Sequence, residues 1–158
     1  MILEKPQELK SLEELRAFAE RFIGAIAKSP KAETATVVGL YGDLGSGKTA
    51  FVKCIAEALG IEELVTSPTF VVVKAYTIPS GSILSPRFSK LVHVDAYRLD
   101  GGRETRVLGW DEIMANKNNV VFIEWPGNVH DALPEGMINL YFSHVDDGVR
   151  RIEEKKGK

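Results

Sequence analysis

One octapeptide constrains this chain more than anything else in it: Gly42-Asp43-Leu44-Gly45-Ser46-Gly47-Lys48-Thr49 satisfies the pattern G-x-x-x-x-G-K-[ST] in full. A loop wrapped round phosphates needs backbone conformations and close approaches that a Cβ blocks, and its N–H groups must point inward at the anion. Such a loop belongs between a buried strand and a helix, and its flanks comply. Val37, Val38, Leu40 and Tyr41 are apolar almost without alternation over Ala35 to Tyr41, the pattern of a strand buried on both faces. Phe51, Val52, Ile55, Ala56 and Leu59 recur at helical spacing, and Gly60 stands where a left-handed C-terminal cap belongs. The expected ligand is a nucleoside triphosphate. Lys48 would reach its β- and γ-phosphates, the Thr49 hydroxyl would ligate Mg²⁺, and the helix would aim its positive end at the same phosphates. The competing reading, a glycine turn that binds nothing, leaves the match with both flanks unexplained.

The 158 residues suit one compact domain, and 44% hydrophobic with 27% charged residues is ordinary globular composition. No apolar run approaches the ~20 residues of a membrane span, and Met1 to Lys10 lacks the apolar core of a signal peptide. A cytoplasmic location is therefore expected. The net charge of −2 offers no basic field for direct, strong nucleic-acid binding, so any connection to RNA should run through a partner protein. Cys54, the single cysteine, reads as a small core residue on the helix after the loop.

Elsewhere the pattern alternates between helix and strand. Ser11-Leu12-Glu13-Glu14 has capping-box spacing, and Leu15, Phe18, Ala19, Phe22, Ile23 and Ile26 line one face of a helix predicted from about Leu12 to Ala27. Strands are predicted at Phe70 to Tyr76, Leu91 to Asp95 and Val120 to Ile123, with closing strands at Met137 to Ser143 and Val149 to Glu153 turned at Asp146-Asp147-Gly148. A long hairpin connection, Pro79 to Pro86, joins the first two, and a weaker helical stretch runs from Arg103 to Asn116, broken near Gly109 and Trp110. The fold class that follows is a three-layer α/β sheet with antiparallel additions.

A phosphate loop needs a carboxylate from a neighbouring strand for Mg²⁺ and a group to orient the attacking water. Glu124 follows four apolar residues at a strand end and Asp95 follows Leu91-Val92-His93-Val94 in the same way, and each could instead be a carboxylate that caps a turn. Alternation over Leu91, His93 and Asp95 puts His93 on the face of Asp95, where it could orient that acid or a water, or simply be a satisfied core histidine. Trp110 and Trp125 read as packing residues, and Arg98, Arg103 and Arg106 as solvated charges or arginines approaching a γ-phosphate.

Four segments in order, the phosphate loop, Ser67-Pro68-Thr69-Phe70, His93-Val94-Asp95-Ala96-Tyr97-Arg98-Leu99 and Ile123-Glu124-Trp125-Pro126, closely resemble the TsaE (YjeE) family, bacterial ATPases of tRNA threonylcarbamoyladenosine synthesis. The likeness runs from about Ser11 to near Arg151. It implies a P-loop NTPase fold with a parallel core sheet and a protein that hydrolyses ATP to ADP and phosphate without itself modifying tRNA. Its partners would be TsaB and TsaD, of which TsaD transfers the threonylcarbamoyl group to the adenosine next to the anticodon. By the same resemblance Thr49 and Glu124 would bind Mg²⁺, Asp95 would support hydrolysis, and Ser67, Pro68, Thr69 and Phe70 would form a nucleotide-sensing switch. Ser11 and Arg150 fall where the family approaches the nucleotide from the chain ends. Phe70 in place of the commoner tyrosine, Ala96 in place of leucine, and the longer Pro79 to Ser89 connection depart from the family pattern.

A small-molecule P-loop kinase is the runner-up, with Arg98, Arg103 and Arg106 as its lid. No second polar cluster for an acceptor accompanies them. A nucleotide-gated module without hydrolysis is a further alternative. Asn116-Lys117-Asn118-Asn119 mimics the guanine motif N-K-x-D but lacks its aspartate and precedes an apolar strand instead of following one, which argues against a GTPase.

Overall fold

Unalternating apolar runs require a sheet covered on both faces. The computed structural model, which describes residues 1–65, 73–99 and 109–157, supplies one. Its strands are β1 (Gln7–Leu9), β2 (Thr36–Tyr41), β3 (Val73–Thr77), β4 (Lys90–Asp95), β5 (Asn119–Glu124), β6 (Ile138–Asp146) and β7 (Val149–Lys155). They form a seven-stranded sheet in the order β1-β7-β6-β2-β5-β4-β3. The inner four, β6, β2, β5 and β4, are parallel, while β3, β7 and β1 pair antiparallel at the margins. This is the parallel core with antiparallel additions expected from sequence.

Helices α1 (Leu12–Lys28) and α2 (Lys48–Ala58) cover one face of the sheet. Phe18, Phe22 and Phe51 meet there with ring centroids 5.5–6.0 Å apart, and Phe51 also packs on Phe122 and Phe142 from the sheet. The short helix α3 (Trp110–Ala115) and a 3₁₀ segment (Pro126–Ala132) cover the other face, where Trp110 and Val129 pack on Val92, Val94, Val121 and Ile123. Every residue of β5 is buried, as its run of apolar residues requires. Cys54 lies in the first core, and burial raises the pKa of its thiol.

Helix α1 begins as its sequence dictates: Ser11 Oγ accepts from the Glu14 N–H at 3.1 Å. The reciprocal bond is shifted by one residue, because Glu14 Oε2 accepts from the N–H of Lys10 (2.6 Å). The strand β1 has no counterpart in the sequence reading. Three residues are too few for a periodic signal, and their strand character comes from pairing with β7, Leu9 opposite Arg150. Asn116 and Asn119 build the turn into β5: Asn116 Oδ1 accepts from the Asn118 N–H, and buried Asn119 donates Nδ2–H to Ile113 O. Of the weak Arg103 to Asn116 helix, the described part is α3. Its entry at Gly109 has a φ of 69°, in the left-handed region.

The long connection between β3 and β4 closes the C-terminal end of α1. Arg87 Nη1 donates to the carbonyls of Ile26 (3.0 Å) and Ser29 (2.7 Å), and Nη2 donates to that of Pro30 (2.9 Å). A guanidinium fork satisfies several terminal carbonyls at once and complements the negative end of the helix. Replacing Arg87 with Ala is expected to lower stability by about 2 kcal/mol in urea unfolding. Arg87→Lys should recover less than half of the loss, because an ammonium cannot make the planar fork.

Candidate functional site

The carboxyl ends of β2, β4 and β5 lie side by side, the place where open parallel sheets gather ligands. The phosphate loop leaves β2 there and feeds directly into α2. Gly42 has a φ of 148°, and a Cβ on it would stand 2.6 Å from Phe142 O and 2.7 Å from Ser46 Oγ. Gly47, at φ 103°, is the N-cap of α2, and a Cβ there would stand 2.8 Å from Arg150 Nη1. Gly47 offers no side chain to cap this helix. Its first-turn N–H groups are therefore directed into the loop, ready for an external acceptor.

Lys48, only 4% exposed, donates Nζ–H to the carbonyls of Gly42 and Asp43, the latter at 2.9 Å, and its ammonium lies 4.3 Å from the centre of the Trp125 ring. Burial lowers its pKa, while the carboxylates of Glu124, Asp43 and Asp95 draw it back up. The acids keep Lys48 charged, and an ammonium held by loop carbonyls can exchange those bonds for stronger ones to phosphate oxygens. Ser46 is buried beneath the loop, whereas Asp43, Leu44 and Gly45 form its exposed tip.

Thr49, on the first turn of α2, donates its hydroxyl to Glu124 Oε1 at 2.7 Å. Glu124 ends β5, beside β2, and is 4% exposed. Its second oxygen, Oε2, lies 2.8 Å from Nε2 of fully buried His93. Asp95 ends β4 directly opposite Glu124 in the parallel register, and its Oδ1 accepts from the Tyr97 N–H at 3.0 Å. Asn128 donates to the carbonyls of Ala96 and Tyr97, tying the turn after β5 to the turn after β4. Among the described residues, no group of three His, Cys, Asp or Glu side chains forms a self-sufficient metal site.

The structure thus brings Lys48, Thr49, Glu124 and Asp95 together. Arg150, at the start of β7, rests its guanidinium against Gly47, and Ser11 uses its hydroxyl as the cap of α1. The proposed switch Ser67, Pro68, Thr69 and Phe70 lies outside the described residues, as do Arg103 and Arg106. Arg98 is exposed. Two features escape sequence reasoning. His93 bonds to Glu124 on the neighbouring strand, although alternation suggested Asp95 on its own strand. Trp125, read as a packing residue, also faces Lys48 and contacts Tyr97 (5.0 Å), and its φ of 58° is unusual for a bulky side chain. Its place immediately after Glu124 was the available signal.

The family profile described as "Threonylcarbamoyl adenosine biosynthesis protein TsaE" matches residues 9–152. The tRNA threonylcarbamoyladenosine biosynthesis protein TsaE of Bacillus subtilis is 34% identical over 147 residues, 93% of this chain and 78% of that protein. The protein of the same name from Haemophilus influenzae is 32% identical over 94% of this chain and 84% of its own length. A crystal structure of YdiB from Bacillus subtilis superposes with a TM-score of 0.70 at 28% identity, covering 95% of this chain and 83% of that one. The sheet order and the strand–loop–helix unit agree with a P-loop NTPase-like fold.

The loop geometry carries its own prediction. Gly42→Ala should destabilise the protein by about 2–4 kcal/mol in urea unfolding, the combined effect of a strained backbone and a Cβ driven against the Phe142 carbonyl. Wild-type stability would mean that the loop does not hold this conformation in solution.

Proposed function

The chain belongs to the TsaE family, whose members take part in tRNA threonylcarbamoyladenosine biosynthesis, and we propose that it is an Mg²⁺-dependent ATPase acting there on a TsaB–TsaD complex. The observation that carries this reading is the bond from Thr49 to Glu124. A hydroxyl at the first turn of the loop helix and a carboxylate at the end of the adjacent strand present two hard oxygens 2.7 Å apart. Neighbouring ligands of an octahedral Mg²⁺ stand ~3 Å apart, so the donor set fits with little movement. One carboxylate and one hydroxyl leave most of the coordination sphere to phosphate oxygens and water, as is usual for Mg²⁺ bound with a nucleotide.

Within this reading Lys48 exchanges its bonds to Gly42 and Asp43 for the β- and γ-phosphates, while the loop amides hold the remaining phosphate oxygens. When bound, Mg²⁺ supplies neutralisation of the charge developing on the transferred phosphoryl group. Asp95, opposite Glu124 and tethered by the Tyr97 N–H, orients the attacking water. Arg150 and Ser11 reach the nucleotide from the two chain ends, and Ser67 to Phe70 reports the γ-phosphate to the partner. ADP and phosphate are the products. A location in the cytoplasm accords with this role, and among the described residues no helix is long and apolar enough to cross a membrane.

Three measurements test the assignment. Lys48→Ala should abolish ATP binding in calorimetry, and unchanged affinity would remove the site. Glu124→Ala should weaken Mg²⁺-dependent ATP binding by about 10–100-fold, whereas Asp95→Ala should lower kcat with little change in ATP affinity; exchanged outcomes would reverse the two roles. ATP hydrolysis should be slow with the protein alone and rise when a TsaB–TsaD complex is added. Turnover that depends instead on a small-molecule acceptor would favour the kinase reading.

A further inference from the structure

His93 is a polar residue in a place where packing alone would select an apolar one. It is fully buried, and it follows Leu91 on the core face of β4, directly beside Phe122 of β5. Its Nδ1 has no hydrogen-bond partner among the described residues, so the ring is only half satisfied. What it does hold is a single atom, Glu124 Oε2, at 2.8 Å. An ionised carboxylate only accepts, so Nε2 carries the proton of this bond. The other oxygen, Oε1, faces Thr49. The two carboxylate oxygens are thus sorted, one toward the core and one toward the loop.

We infer that His93 is a positioning residue that makes the site selective for Mg²⁺, by occupying Oε2 and leaving Glu124 a single oxygen to offer a metal. The inference rests on the magnesium–nucleotide reading of the site and adds a reason for the choice of cation. Mg²⁺ accepts an octahedron of singly contributed oxygens at short distance. Ca²⁺ takes six to eight oxygens at longer distance and gains from a bidentate carboxylate. A Glu124 freed from His93 can rotate to offer both oxygens, which favours the larger ion. Hydrogen-bonding partners behind metal ligands commonly alter metal affinity by about 10–100-fold when removed, and the same scale is expected here.

The test is calorimetric binding of a non-hydrolysable ATP analogue in Mg²⁺, in Ca²⁺ and in EDTA, for wild type and three variants. His93→Leu removes the donor. His93→Asn retains an amide but places it near the Nδ1 position, too short to reach Glu124, whereas His93→Gln places its amide near Nε2 and keeps the bond. The Mg²⁺-over-Ca²⁺ preference should fall about tenfold or more in His93→Leu and His93→Asn and be preserved in His93→Gln, with binding in EDTA equal in all four proteins. If His93→Leu does not fold, His93→Asn carries the comparison. An undiminished preference in His93→Asn, or an equal loss of affinity in all three media, would overturn the inference. Wild-type protein that binds the analogue equally in Mg²⁺ and in EDTA would instead overturn the parent reading of a metal–nucleotide site.

Discussion

The relay of hydrogen bonds from Thr49 through Glu124 to His93 joins the parts on which the site depends. It links the first turn of α2, the end of β5 and the middle of β4, so the phosphate loop is registered against two parallel strands by one carboxylate. A carboxylate this deeply buried is costly unless its oxygens are occupied. Here each oxygen has a donor, and the two donors come from opposite sides. The same carboxylate contributes to the field at Lys48, whose burial alone would disfavour its charge. Glu124 therefore serves the geometry of the loop and the charge of its lysine together.

The sequence exposes those parts of this arrangement that are local in the chain. The glycine pattern, the apolar run of β2 and the helical spacing of α2 are adjacent segments whose chemistry determines their conformations, and the structure contains all three. Glu124 and Asp95 were legible as acids at strand ends for the same reason. The partner of His93 was not. Alternation identifies its face, but which neighbour it meets depends on the pairing of β4 with β5, where Asp95 lies opposite Glu124 and His93 opposite Phe122. The placement of Trp125 depends on a left-handed backbone that no spacing rule announces, and β1 exists only because β7 lies beside it. Arg87 is another such case, since its role at the end of α1 is fixed by a connection that returns from the far edge of the sheet.

The marginal strands have a consequence for the loop. β1 and β7 lie at one edge of the sheet, yet their pairing sets Arg150 at the start of β7, and its long side chain spans the distance to Gly47. Gly47 thus meets two demands, a positive φ and room for a guanidinium. Trp125, whose ring meets that of Tyr97 at a tilt, lies against the Lys48 ammonium. The loop is accordingly met by a cation at Gly47 and an aromatic ring at Lys48, both positioned by segments distant from it in sequence.

The role given to Glu124 and the loop is decided by a crystal structure with Mg²⁺ and a non-hydrolysable ATP analogue. The β- and γ-phosphates are expected within the loop, with Lys48 Nζ moved from the Gly42 and Asp43 carbonyls onto them, and the metal at Thr49 and Glu124 Oε1 with His93 still on Oε2. A metal held by Asp95 while Glu124 remains bonded to Thr49, or a nucleotide bound away from the loop, would contradict that role.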